Sequence, residues 1–526
     1  MPVGELSFEP LTPTSVLARS ALVFGDRTAV VDGDARFTYA ELHDRCQRLA
    51  GALVSLGASD GARVAVLTPN THVLLEAHYG VPLAGAVLVA LNVRLTAEEL
   101  GWIVGHAGAR VLIYDHELEA TARRVAQLVG EGGLRLVRAG GPHDEYEALL
   151  AAATPTALPV TDERGLLAIN YTSGTTGRPK GVMYAHRGAY LQALAMALHT
   201  RLEPGSVFLW TLPMFHCNGW CFTWAVTAAG GTHLGLRKVV PAEVWRLVAE
   251  QGVTHFNAAP TVLISLAWHA DARPAERPIR VATGGAPPSP TLLARMAELG
   301  VDVTHLYGLT ETYGPVVVCD WWPEWDGQPA DGQARLKARQ GVGNVIAQPV
   351  RVVDDRGVDV PADATTIGEV ALRGNDVMLG YYRDPEATEV AAPDGWFRTG
   401  DLGVLHPDGY VELRDRAKDI IISGGENIAS VEVEQAIASH PAVLEVAVVA
   451  VPDDHWGEVP AAYVTLKPGH KASGEDIIAH ARERLAHFKA PRHVVFGELP
   501  KTSTGKIQKY RLREQARAKV DDWSRA

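Results

Sequence analysis

Apolar positions in the first part of the chain come in short aliphatic and β-branched blocks, and longer stretches with helical spacing separate them. Thr28–Asp32, Arg63–Leu67, Val87–Leu91, Val111–Tyr114, Ser206–Leu212, Thr254–Ala258 and Ile279–Thr283 read as strands. Thr38-Tyr-Ala-Glu41 is a capping box that opens a helix reaching about Leu56, and a second helix covers Thr71–Ala84. Strands alternating with helices predict parallel sheets joined by crossover helices. The pattern changes after about residue 340. Between Val350 and Asp415, apolar runs alternate with the turn signals Asp355-Arg-Gly, Asp394-Gly and Asp408-Gly, which predicts β hairpins. Beyond Lys418 come a helix (Val431–Ser439), two strands (Val443–Val451 and Ala461–Leu466), a helix (Gly474–Leu485) and a last strand (His493–Phe496). The expected division is therefore 1–417 and 418–526.

At 526 residues the chain is too long for one growing core, so more than one domain is expected. The net charge of −12 disfavours nonspecific binding to nucleic acid or anionic membrane. An anionic substrate then needs a locally basic site. Four cysteines are too few for a disulfide framework. Cys217 and Cys221 lie beside His216, but no second Cys/His cluster completes a metal site. The first residues have neither a basic nor an apolar targeting segment, and no uncharged apolar stretch is long enough to span a bilayer. The expectation is a cytoplasmic protein.

The densest chemistry is Tyr171-Thr-Ser-Gly-Thr-Thr-Gly-Arg-Pro-Lys180-Gly181, with four Ser/Thr hydroxyls, three glycines and two cations in eleven residues. Glycines let backbone N–H groups wrap an anion, and hydroxyls and cations add donors and charge. The loop suits a polyphosphate. It is not the common P-loop, because only two residues separate Gly174 from Gly177 and Lys180 is followed by Gly181. Further blocks follow: Thr283-Gly-Gly-Ala-Pro287, Tyr307-Gly-Leu-Thr-Glu-Thr312, Trp396-Phe-Arg-Thr-Gly-Asp401, Gly424-Gly-Glu-Asn427 and Pro500-Lys-Thr-Ser-Thr-Gly-Lys506.

In that order, these blocks resemble the adenylate-forming superfamily of acyl- and aryl-CoA ligases, peptide-synthetase adenylation domains and beetle luciferases. The resemblance runs from about residue 20 to residue 510. Leu212-Pro-Met-Phe-His-Cys-Asn-Gly-Trp-Cys221 is most similar to ligases of short- and medium-chain, thioether or aryl acids. It implies an α/β fold: a large N-terminal domain of two sheet-and-helix subdomains with a small β-barrel-like subdomain, and a small mobile α+β C-terminal lid. It also implies ATP, Mg2+ and CoA, with small-molecule acids as partners and frequent homodimers in the family. In the implied reaction a carboxylate attacks the α-phosphate of ATP, and a thiol then attacks the acyl-adenylate.

Carried over position by position, the resemblance implies that Thr172, Ser173, Gly174, Thr175, Thr176 and Lys180 hold the departing pyrophosphate. Glu311, with Thr176, would bind Mg2+. Gly285, Ala286, Pro287, Tyr307 and Thr310 would form the adenine side of the site, and Asp401 with Arg416 would hold the ribose. Lys506 would bridge the acid and the α-phosphate, and His216 would gate the thiol. Lys418 falls on the hinge, and Gly424, Gly425 and Glu426 fall on the CoA tunnel. Trp220, Gly284, Gly308, Tyr313 and Gly314 would line the acyl pocket. Large residues there favour a short or closed pocket, although Trp220 and Trp224 also read as core fillers. No carboxylate follows Phe215, which disfavours an α-amino acid substrate. The main reading is an acid–CoA ligase. Its rivals are adenylation with another acceptor, a luciferase-like oxygenase, and a silent nucleotide-binding protein.

Overall fold

The computed structural model describes residues 8–130, 133–172, 178–285, 288–416, 419–423, 426–453, 455–502 and 505–523. Among them the strands form four sheets. A seven-stranded sheet runs Gly380–Tyr381, Gly181–Ala185, Leu166–Tyr171, Val87–Ala90, Arg63–Leu67, Ala109–Asp115, Arg135–Ala139. Its inner strands pair in parallel, with Val64 opposite Leu88 and Val111. A nine-stranded sheet carries the parallel set Val207–Leu209, His255–Ala258, Ile279–Thr283 and Val301–Leu309, edged by the antiparallel strand Gly314–Val318. The strand expected over Ser206–Leu212 is shorter, Val207–Leu209, and Trp210 beyond it is fully buried.

Local signals account for the helix starts. Thr38 and Glu41 form the expected capping box, and Thr96 with Glu99 forms another. The largest core joins helices Pro13–Val23, Tyr39–Ser55 and His72–Leu83 to both sheets through Leu17, Leu42, Tyr79 and Trp224. The β-rich region folds as a four-stranded antiparallel sheet of Arg351–Val353, Gly368–Leu372, Phe397–Leu405 and Val411–Arg416.

The C-terminal unit centres on the antiparallel pair Val443–Asp453 and Gly457–Leu466, with His493–Phe496 added in parallel. It has its own cores, one around Val433, Ile437 and Ile477 and one around Val449, Tyr463 and Leu512. A closing helix, Lys509–Trp523, packs Leu512 and Ala516 onto the second core. Glu426–Ile428 is a strand paired antiparallel with Ile421–Ser423. Among the described residues no helix is long and apolar enough to cross a membrane.

Candidate active site

The C-terminal ends of the parallel strands in the nine-stranded sheet converge with the β-rich sheet. Tyr307, near the end of Val301–Leu309, donates its hydroxyl to Asp401 Oδ2 at 2.8 Å. Asp401 sits opposite Arg416 in the strand pairing, and the guanidinium Nε lies 3.1 Å from Oδ1. The carboxylate is only 5% exposed, so a fixed, paired anion faces this corner. Burial and the neighbouring Asp401 charge push the Tyr307 hydroxyl well above its ordinary pKa, so it remains a donor at neutral pH. Gly285, at the end of the next strand, has φ +88°, a left-handed conformation suited to glycine. Ala286 and Pro287 lie outside the described residues.

The base of the hydroxyl-rich loop is closed by Thr172 N–H donating to the Lys180 carbonyl at 3.0 Å. Ser173, Gly174, Thr175 and Thr176 lie outside the described residues. Lys180 Nζ stands 4.6 Å from the ring centre of Tyr381, whose hydroxyl donates to Glu311 Oε1 at 2.8 Å. Tyr381 is held there because its strand pairs with Val182, just past the loop. It joins the loop lysine to the acid and was not singled out from the sequence. The only local signal was an aromatic pair, Tyr381-Tyr382, after Gly380. Thr310 and Glu311 lie on a single 3-10 turn, and the Thr310 carbonyl accepts from the Tyr184 hydroxyl at 2.6 Å.

Residues Cys217, Asn218, Gly219, Trp220 and Cys221 all have positive φ, between 50° and 63°. This is a left-handed turn built mostly from non-glycine residues, a conformation that costs about 1–2 kcal/mol per residue. Tertiary contacts hold it. Asn218 accepts from Asn170 Nδ2 at 2.8 Å, and the Asn218 carbonyl accepts from Thr223 Oγ1 at 3.0 Å. The turn sets Trp220 between two glycines. A Cβ on Gly284 would lie 3.1 Å from the indole Cη2, and one on Gly314 would lie 2.9 Å from Cδ1. Gly308 is tighter still, because a Cβ there would fall 1.8 Å from the Gly314 carbonyl oxygen. Tyr313 stacks on Tyr184 at 3.9 Å and accepts from Ala185 N–H, while Trp224 is fully buried with its Nε1 on the His78 carbonyl. Both therefore belong to the packed interior.

His216 begins the left-handed turn. Burial, then the positive charge of Lys506, pushes its pKa down to about 4, which keeps the imidazole neutral at pH 7. Lys506, more than two hundred residues from His216 in sequence, is thus brought close to it. Its loop docks through Gly505, whose carbonyl accepts from Thr261 Oγ1 at 3.1 Å at the start of helix Pro260–Ala267. Glu426 is exposed on the lid strand Glu426–Ile428. Lys418, Gly424 and Gly425 lie outside the described residues.

Two family models match the chain: AMP-binding enzyme over residues 17–382, and AMP-binding enzyme C-terminal domain over 432–506. An acetate–CoA ligase of Humulus lupulus is 44% identical, covering 98% of this chain and 96% of the relative. A peroxisomal benzoate–CoA ligase of Arabidopsis thaliana is 42% identical over 97% of this chain and 94% of its own. Among solved structures, an anthranilate CoA ligase in complex with anthranoyl-AMP superposes with a TM-score of 0.87 at 26% identity, covering 98% of this chain and 99% of that one. The ordered blocks, the shared architecture and these matches together make the chain a member of the AMP-binding enzyme family, within the adenylate-forming superfamily.

Proposed function

We propose that this AMP-forming acid–CoA ligase activates short carboxylic acids. The observation that carries the size limit is Trp220, wedged between Gly284 and Gly314 across the expected acyl pocket. The named relatives span acetate to benzoate, so they leave the acid open. The walled pocket favours the short end of that range.

In the first half-reaction the acid carboxylate attacks the α-phosphate of ATP, and pyrophosphate leaves. Two anions must approach each other, so their charge must be screened. Lys506, beside His216, is the movable cation for that encounter. Lys180 and the hydroxyls of the loop hold the departing pyrophosphate. Asp401, positioned by Tyr307 and Arg416, accepts the ribose hydroxyls. Glu311 fits a Mg2+ ligand: it offers a hard oxygen, and Tyr381 engages Oε1 and leaves Oε2 for a cation that prefers one carboxylate plus phosphate oxygens. Bound there, Mg2+ would neutralise phosphate charge. In the second half-reaction the CoA thiol attacks the acyl carbon, the mixed anhydride breaks, and AMP leaves as the thiol proton is released.

Lys418 is the proposed hinge between the adenylating and thioester-forming arrangements, with Gly424, Gly425 and Glu426 lining the thiol's path. A cytoplasmic site of action is part of the same proposal. Release of AMP over a series of acids, with and without CoA, tests the reading. Strict CoA dependence and best turnover on small acids are expected. Turnover without CoA, or a preference for long-chain acids, overturns the corresponding part.

A further inference from the structure

Away from the nucleotide corner, the nine-stranded sheet carries a cavity of about 430 Å3 over the first halves of the same parallel strands. Strand register fixes its floor. His255, Arg280 and Asp302 lie opposite one another in one row, and Asn257, Ala282 and Thr304 form the next. Phe256, Val281 and Val303 alternate with them and pack into a hydrophobic core. The end of helix His186–His199 with Arg201, the Phe222 ring and Trp321 complete the walls. Neither Trp220 nor Gly284 lines this space. Gly284 is two residues beyond Ala282, about 7 Å further along the strand, so the cavity is distinct from the expected acyl pocket.

Most of its polar groups are already engaged. His255 Nε2 donates to the Thr200 carbonyl at 3.1 Å, and its Nδ1 meets Thr254 Oγ1 at 2.7 Å. His305 Nδ1 donates to the Arg339 carbonyl, and His199 bridges Asp320 and the Val345 N–H. Among the acids, Asp302 pairs with Lys337 at 3.3 Å and Asp326 accepts from Trp321 Nε1 at 2.7 Å. Among the described residues three nitrogen-bearing side chains are left over, and all can donate. The backbone N–H groups of Arg280 and Arg201 donate to the Thr254 and Leu198 carbonyls, and their guanidiniums have no hydrogen bond or ion pair among the described residues. The Asn257 side chain is only 2% exposed, and its Nδ2 has no partner among the described residues. A buried amide donor without a partner costs about 1–3 kcal/mol, and two guanidiniums without an ion pair line the same cavity. A ligand with acceptor oxygens and negative charge satisfies all three.

We propose that this cavity is a second, non-catalytic site for a small oxyanion, a carboxylate or phosphate group held by Arg280 over the Asn257 amide with Arg201 at the mouth. A guanidinium presents paired donors that match either group, and the volume suits a small metabolite. Isothermal titration of the full-length enzyme with citrate, and separately with inorganic phosphate, tests this with the catalytic site filled by an acyl-sulfamoyl-adenosine. One saturable site is expected, weakened about ten-fold or more by Arg280→Gln, as for the loss of a hydrogen bond to a charged group. Arg201→Gln, on the exposed rim, gives the second reading where Arg280→Gln fails to fold. Lys180→Ala should leave this binding unchanged. No saturable binding by either probe, or binding that survives both arginine variants, overturns the proposal. Loss in Lys180→Ala also overturns it, because the anion then lies in the pyrophosphate loop.

Discussion

Replacing Trp220 by glycine separates a pocket wall from a core filler. The indole is 7% exposed and touches the backbone of two strands at Gly284 and Gly314. Truncating a buried tryptophan costs about 3–5 kcal/mol. Trp220 also sits at φ +57°, where glycine is at ease and an L-residue pays about 1–2 kcal/mol. The net loss of stability for Trp220→Gly is therefore about 1–4 kcal/mol, small enough for the protein to remain folded. The freed space should admit a longer acyl chain. Each buried methylene contributes about 0.8 kcal/mol. Octanoate carries four more methylenes than butyrate, worth about 3 kcal/mol, or about two orders of magnitude in the ratio of their kcat/KM values. The assay is CoA-dependent AMP release over straight-chain acids from acetate to decanoate, with a melting curve to show that the variant is folded. A folded variant whose octanoate-to-butyrate ratio stays within about two-fold of the parent would refute the pocket reading.

Four further outcomes are expected. Lys506→Ala should slow adenylate formation by about 10²–10³-fold, the scale of losing one preorganised charge at a transition state. It should leave thioester formation from synthetic acyl-adenylate near the parent rate, and equal loss in both steps contradicts its role. Tyr307→Phe removes one hydrogen bond to the charged Asp401, worth about 1.5 kcal/mol. KM for ATP should rise about ten-fold, and an unchanged KM would show the bond to be irrelevant to nucleotide binding. Gly308→Ala forces a methyl into the Gly314 carbonyl, so the strands must separate, at a cost of more than about 4 kcal/mol; a parent-like melting temperature counts against the geometry. The last outcome concerns pH. Burial pushes His78, His186, His255 and His305 down to about 4 and His233 to about 3. Each therefore takes up its proton more readily in the unfolded chain, near the ordinary 6.5. Their stabilisation is complete above that value and is lost as pH falls towards 4, at several kcal/mol per pH unit where steepest. His72 has the opposite sign. Burial opposes its charge, but hydrogen bonds to Asp32 and Glu147 lift its pKa to about 10, so its contribution is complete below 6.5 and lost as pH rises through about 10. Melting temperatures across pH 4–10 check both edges, and a curve flat from pH 7 down to 5 would sink the histidine argument.

Much of the architecture was legible because its determinants are local. Thr38 and Glu41 cap a helix three residues apart, the aliphatic blocks at Arg63–Leu67 and Ile279–Thr283 mark strands, and both are found as expected. The hydroxyl-rich loop, the Tyr307–Thr312 block and the Lys506 block also carry their chemistry in contiguous residues. The closing helix Lys509–Trp523 was less visible, because it is densely charged and, among its described side chains, buries Leu512 and Ala516 on the C-terminal core. The expected hinge at Lys418 falls outside the described residues.

What only the tertiary structure decided is which distant residues meet. Tyr381 reaches Glu311 across seventy positions because its short strand pairs beside the loop. Cys217 and Trp220 adopt left-handed backbone against their own preference because Asn170 and Thr223 anchor Asn218. Trp220 becomes a wall only because Gly284 and Gly314, on two other strands, leave room for its ring. The unpaired donors of Arg280 and Asn257 likewise become a site only through strand register. Caps, turns and strand periodicity act over a few residues and can be read along the chain. Burial, long-range pairing and the identity of a group left without a partner are properties of the packed whole, where neighbours in space are strangers in sequence.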